Sequence, residues 1–435
     1  MPLRSRHPSW VLTATVAFMP LWWALGLAAF IWIIAAVPMA WILLHRTPVR
    51  APRGFGVFLL FLGWVMVSAA PTEGLRILSV GYRVAIYLAA AVLLLYVYNL
   101  TEEELPRSRA VKLCCLYFMY AIGGGYAALL FGDLRFTSPL EMLMPAAVLQ
   151  NSFAQELVSP NLAQLHDIFG VPLPRPTAPF VFTNEWGSGV GFLAPMAIAG
   201  WSSLGRRWQN AITVVGLASV VPIVVSINRG LWVALVFTVV YGTVLLAHRG
   251  DTRFLRGVLL GVAALVAVAA LTPLGGLVSD RLDNGHSDTG RLFLYGQTIE
   301  QVQDSPWIGY GAPRVNEERP NLPAIGTHGQ FWTVLYSHGI PGAFLFVTFV
   351  LMVAFRTVHA QDRVGVWLHV TVVLVPVLMF FYDILNQPIF VIMIAAGLAL
   401  RGAPRPHDTV PAPVLDPSVR DAEMPTGTRT LVRNP

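Results

Sequence analysis

The chain has 435 residues, 55% of them hydrophobic and only 12% charged, where an ordinary soluble protein carries roughly 25% charged residues. That composition excludes a water-soluble globule, and the apolar runs lack the alternation of a membrane β-barrel wall, so they read as helices. The net charge of +6 does not point to nucleic acid, because arginines that hold short loops in the cytoplasm produce the same excess.

At the start of the chain, Arg4 and Arg6 precede an apolar stretch from Val11, the charge order of a signal sequence. No small-x-small cleavage site ends it before the next apolar run, so it reads as a first, uncleaved helix. The predicted membrane helices are Trp10–Leu25, Ala28–Leu44, Phe55–Ala70, Val84–Tyr98, Lys112–Phe131, Ser188–Leu204, Ala211–Ser226, Leu231–Leu246, Leu255–Leu271, Phe331–Phe355, Val366–Phe381 and Pro388–Leu400. With their flanks they are long enough to cross a hydrocarbon core of about 30 Å. Cys114 and Cys115 are adjacent within the fifth of them and read as packing residues.

With the N-terminus assigned to the cytoplasm, 20 of the 29 basic residues fall on the inner side, and each inner segment carries at least two. The positive-inside rule then puts both termini in the cytoplasm. The fold class is an all-α polytopic membrane protein of about twelve transmembrane helices, one domain over residues 1–400, with a disordered cytoplasmic tail over 401–435 rich in Pro and charge. The chain shows no internal repeat of the sort that marks many transporters.

Two external segments, about 132–187 and 272–330, are far longer than connection requires, and loops of that length usually carry function. In the first, Pro139–Phe169 has apolar residues at helical spacing and could hold an amphipathic helix at the membrane surface. In the second, ahead of the tenth helix, Asp288 or Thr289 can cap an amphipathic helix with Leu292, Tyr295, Ile299 and Val302 on one face, ended by Pro306.

Nine basic residues remain outside, where they weaken the topology and need a reason. Arg229, in SINRG, falls at the outer, N-terminal end of the eighth helix, where a cation meets the positive end of the macrodipole. Arg291 repeats the arrangement in the first turn of the loop helix, and His328 opens the tenth helix behind Thr327, a plausible cap. Three outward helix N-termini, two bearing arginines, suit a phosphate group at the membrane surface. Arg binds phosphate oxygens in pairs, and the chain has a single Lys. For any one arginine the alternative is snorkelling to headgroups or pairing with Asp280, Asp283 or Asp288. Glu317 and Glu318 either supply a base or pair with Arg314 and Arg319. Asp383, Asn386 and Gln387 line a sugar site or form a short polar turn.

From Arg229 to about Ala343 the chain resembles the O-antigen ligase and polymerase family, membrane glycosyltransferases acting on polyprenyl-pyrophosphate-linked saccharides. SINRGLWVAL resembles its Arg-Gly motif. TGRLFLYGQTIEQVQDSPWIGYG resembles its loop signature through Arg291, Pro306, Gly309 and Gly311. THGQFWTVLYSHGIPGA resembles its His-Asn segment through His328, Gly339 and Gly342, with Gly329 where that family has Asn, so any acceptor contact of that Asn is missing or moved to Gln330. RPTAPFVFTNEWG resembles a weaker upstream element and brings in Arg175 and Asn184.

The resemblance implies transfer of a saccharide from a polyprenyl-pyrophosphate donor to the hydroxyl of a glycan or glycolipid acceptor, inverting and independent of metal or other cofactor, in cell-envelope assembly. His328, Arg291 and Arg229 would be the catalytic residues, and Arg229, Arg291, Arg175, Asn184, Gln330 and Arg314 would bind substrate. The setting implied is the bacterial cytoplasmic membrane, with the site on its extracytoplasmic face, in contact with membrane lipid and no nucleic acid. A transporter or flippase of lipid-linked saccharides is the alternative, for which charged or broken helices at mid-membrane and related halves would be expected.

Overall fold

The computed structural model describes residues 8–70, 72, 74, 76–168, 171–257, 286–316, 323–359 and 362–401. Eleven of the twelve predicted spans coincide with helices among them. The twelfth, Leu255–Leu271, lies outside the described residues from position 258 onward, as does the tail from position 402.

The first span is two short helices, α1 (Trp10–Ala17) and α2 (Met19–Ala24), broken at Phe18. Pro20, in the first turn of α2, has no amide to donate to the turn before it. Then come α3 (Ile31–Leu44), α4 (Phe55–Ala69), α5 (Arg76–Asn99) and α6 (Arg107–Phe131). After the first long loop follow α10 (Thr183–Ser203), α11 (Arg206–Ala218), α12 (Val220–Val225) and α13 (Arg229–His248), with Pro222 behind the break between α11 and α12. After the second long loop come α15 (Gln330–Thr357), α16 (Arg363–Leu378) and α17 (Gln387–Arg401). Among the described residues, five stretches can each cross a membrane by length and composition: α5, α6, α11 with α12, α13 and α15.

At the centre of the bundle stands α10. Nearly every residue from Thr183 to Gly200 is buried, and a helix enclosed on all sides needs no polar face. It packs on α6, α16, α13 and α17, while α15 lies along α4 and α17 along α5.

The two long loops depart from expectation. Pro139–Phe169 is not one amphipathic helix. It forms α7 (Pro139–Leu143), α8 (Ala146–Leu149) and α9 (Ser152–Val158), and then β1 (Ala163–Ile168), which pairs antiparallel with β2 (Val171–Pro176). Pro172, Pro174 and Pro176 alternate, so the residues between them face β1 with their amides while the prolines sit where no ladder donor is needed. In the second loop, α14 runs from His286 to Asp304. It opens before the expected cap, which moves Arg291 into its second turn. Its buried face carries Leu294, Thr298 and Val302, whereas Leu292 is 68% and Ile299 49% exposed, so the predicted stripe is split between two faces.

Candidate functional site

The turn between α16 and α17 is where distant parts of the chain meet. Tyr382, buried there, donates its hydroxyl to Asn228 Oδ1. Asn228 caps α13 and also accepts from the Leu231 amide at 3.4 Å, so the turn is tied to the residue next to Arg229. Gly230 lets the phenol ring lie against the first turn of α13, since a Cβ there would come within 2.6 Å of the ring. Gly187 of α10 faces the same pair from the other side, one turn beyond Asn184.

Arg175 reaches this place from β2 by donating Nε to the carbonyl of Ser226 at 2.8 Å, just before α13. The charges of Arg175 and Arg291 both bear on Tyr382, whose phenol burial pushes up and the two guanidiniums pull back. Arg291 gets there because α14 docks through the residue one turn further on. Tyr295 stacks on Trp332 with ring centroids 4.6 Å apart, and its hydroxyl bonds to the carbonyls of His328 at 3.0 Å and Phe380 at 3.1 Å.

His328 lies beside Arg291. Burial, and then the Arg291 charge, pull its imidazole down from 6.5 to about 4, so it is neutral near pH 7 and a weaker base than an ordinary imidazole. Its backbone is left-handed at φ 70°. Thr327 does not cap the helix as expected: Gly329 is the N-cap residue, and the Thr327 hydroxyl donates to the Ala324 carbonyl and lies 3.0 Å from His328 Nδ1.

The turn thus gathers Arg175, the start of α13 with Arg229, Arg291 and His328. Of two other predicted residues, one is built into the turn and one lies away from it. Gln330 is fully buried; its Oε1 accepts from the amides of Ile384 at 3.2 Å and Leu385 at 3.1 Å, and its Nε2 donates to Tyr87 at 2.8 Å. It holds the turn in place and shows no open face to an acceptor. Arg314 stacks over Tyr310, 4.2 Å from the ring centroid. Tyr310 bonds to the Gln301 carbonyl, ten residues along α14 from Arg291, which at 1.5 Å per residue is about 15 Å.

The helix N-termini are also less available than expected. The amides of Gln330 and Phe331 at the start of α15 are spent on the carbonyls of Tyr382 and Met379 at 2.7 and 2.9 Å. Anion binding here therefore falls to side chains. Of the residues that sequence reasoning missed, Asn228 had a readable signal, an N-cap residue directly before Arg229. Tyr382 had none, because its partners are remote in sequence.

Residues 214–347 match the family model described as O-antigen ligase. The match covers 134 of the 435 residues, under a third of the chain. It holds Arg229, Arg291, His328, Gln330 and Arg314, while Arg175, Asn184 and Tyr382 lie outside it. No curated protein and no solved structure matches the chain. Together with the apolar helices around it, the match supports a membrane protein that is similar over this segment to O-antigen ligases.

Proposed function

We propose that the protein transfers a saccharide from a polyprenyl-pyrophosphate donor to an acceptor hydroxyl, with the site at the extracytoplasmic face of a bacterial cytoplasmic membrane. The observation that carries the reading is the convergence at Tyr382: Arg175 and Arg291 act on its phenol, Asn228 beside Arg229 accepts its hydroxyl, and neutral His328 adjoins Arg291.

In this reading the guanidiniums of Arg229 and Arg291, with Arg175 behind them, hold the diphosphate and stabilise the negative charge it gains on leaving. The acceptor oxygen attacks the anomeric carbon from the face opposite the diphosphate. The new C–O bond forms as the bond to phosphate breaks, the electron pair leaves with the carrier diphosphate, and the anomeric centre inverts. His328 takes the hydroxyl proton, its basicity restored when the bound diphosphate neutralises the Arg291 charge that helps to depress it. Asn184, one turn from Gly187, would contact the sugar.

The test is turnover of a purified polyprenyl-pyrophosphate saccharide by the purified chain in detergent, with an acceptor glycan and no nucleotide. The expected result is release of carrier pyrophosphate and product, lost in Arg229→Ala, Arg291→Ala and His328→Ala variants that retain the wild-type melting temperature. Unchanged donor together with vectorial movement in vesicles would replace this reading with that of a carrier.

A further inference from the structure

At the other end of the bundle, a cleft of about 630 Å³ opens between the α3–α4 loop, the end of α5, the start of α6 and the end of α17. Its position follows from helix direction. α5 runs from Arg76, which donates to the carbonyls of Tyr310 and Ala312, to Asn99 at the cleft, and α17 runs from Gln387 beside the Tyr382 turn to Arg401 in the cleft.

Four arginines line it, Arg46, Arg50, Arg107 and Arg401, against one carboxylate, Glu102. Three of the four are engaged. Arg401 donates to Glu102 at 2.7 Å and to the carbonyls of Leu100 and Leu105, Arg46 pairs with Glu104 at 2.5 Å, and Arg107 with Asp362 at 3.1 Å. Arg50 differs. Its backbone is clamped both ways to the Asn99 amide at 2.7 Å, yet its guanidinium has no ion pair or hydrogen bond among the described residues. The backbone of Arg50 is thus fixed at the cleft, and among the described residues its guanidinium is the charge that Glu102, Glu104 and Asp362 leave unbalanced there.

The wall leading to the cleft is apolar and faces outward. Ile34, Val37, Trp41 and Leu44 lie on one face of α3 and are 49%, 71%, 65% and 78% exposed. In a membrane helix such a stripe faces acyl chains, and Trp41 stands where interfacial tryptophans stand, with His45 packed against it at 4.3 Å between ring centroids. The stripe ends two residues before Arg46.

We propose that this cleft is a headgroup site for an anionic phospholipid of the leaflet opposite the one that meets the Arg291–His328 site. The phosphodiester lies in the cleft against Arg50, with Arg46 and Arg107 contributing field, and the acyl chains follow the α3 stripe. The ligand chemistry is a phosphate anion, and the apolar approach selects a lipid over a free ion. The bound lipid bridges the ends of α3, α5 and α6, so it stabilises the bundle. The proposal stands independently of the transfer reaction.

The experiment is native mass spectrometry and thermal melting of the full chain from nanodiscs of phosphatidylethanolamine alone or with phosphatidylglycerol. Phosphatidylglycerol is expected to be retained selectively and to raise the melting temperature. Arg50→Gln, which removes no ion pair or side-chain hydrogen bond among the described residues, is expected to lower retention about fivefold, and Arg50→Gln with Arg107→Gln further, whereas Arg206→Gln with Arg207→Gln at the same end of the bundle leaves it unchanged. Equal retention of the two lipids, unchanged retention in Arg50→Gln, or displacement of the lipid by inorganic phosphate alone would each overturn the proposal.

Discussion

Gly309 and Gly339 meet backbone to backbone. Both are left-handed, at φ 71° and 66°, and α15 is broken at Gly339. Into that break the Gly309–Gly311 loop inserts its main chain: the amides of Tyr310 and Gly311 donate to the carbonyls of Tyr336 and Ser337 at 3.1 and 2.8 Å, and Ile340 donates back to Pro306 at 2.8 Å. The polar groups freed by the kink are thereby satisfied, and the end of α14 is fixed to the middle of the helix that His328 precedes.

A methyl group at either position has nowhere to go. A Cβ on Gly339 would lie 2.4 Å from the Trp307 carbonyl oxygen, and one on Gly309 would lie 2.6 Å from that of Tyr336. Backbone cannot yield as a side-chain tip can. Gly339→Ala and Gly309→Ala are therefore each expected to lower stability by about 1–3 kcal/mol, read as a drop in melting temperature in detergent. Gly63→Ala, where nothing lies within 4 Å, serves as the control.

Arg291→Lys keeps the charge and removes the planar fork. If the diphosphate is held by paired hydrogen bonds, turnover of the lipid-linked donor should fall by at least tenfold in Arg291→Lys and by about 10²–10³ in Arg291→Ala, the range for losing one preorganised donor to a developing anion. Equal activity of the Lys variant and the wild type would mean that only charge matters there.

The pH dependence of His328 has a definite sign. Its folded-state value, about 4, lies below its ordinary 6.5, so on acidification the unfolded chain takes up this proton first. Stability from this group is present above pH 6.5 and declines as the pH falls towards 4. In the ligand-free protein the imidazole stays neutral well below pH 6.5. Because Arg291 is one cause of the depression, Arg291→Gln should move the titration upward, measured by NMR of the imidazole or by the acid limb of donor turnover.

Tyr382→Phe removes one buried hydrogen bond to Asn228 and leaves the cap of α13 in place. The expected cost is about 1 kcal/mol of stability. A larger fall in turnover than in stability is expected, because the Asn228–Arg229 corner loses its tie to the turn.

Helix positions were legible because a membrane helix announces itself by length and apolarity, and these are local properties. The hairpin was not, since the spacing of Leu162, Leu165 and Phe169 also fits a helix and only the pairing of Gln164 with Arg175 decides against it. Charge and motif order single out Arg229, Arg291, Arg175 and His328 as candidates. What sequence could not show was their common neighbour, because Tyr382 lies 91 positions beyond Arg291 and 153 beyond Arg229 in the numbering. The exposed half of α14 misled for a related reason: at a membrane surface Leu292 and Ile299 need not face protein.

Gln330 is the residue whose expected role the geometry redirects most, and its replacement separates two readings. An acceptor-binding amide at this position would, when removed, raise the KM for acceptor and leave the fold untouched. The observed amide instead satisfies the buried amides of Ile384 and Leu385 and bonds Tyr87 on α5. Gln330→Ala would strand the Ile384 amide away from water, at about 1–3 kcal/mol for an unsatisfied buried group, while the Leu385 amide keeps Asp383 Oδ1 at 3.0 Å. The expected outcome is a markedly lower melting temperature, with donor turnover falling because the Tyr382 turn loosens. An unaltered melting temperature with a raised acceptor KM would restore the substrate role.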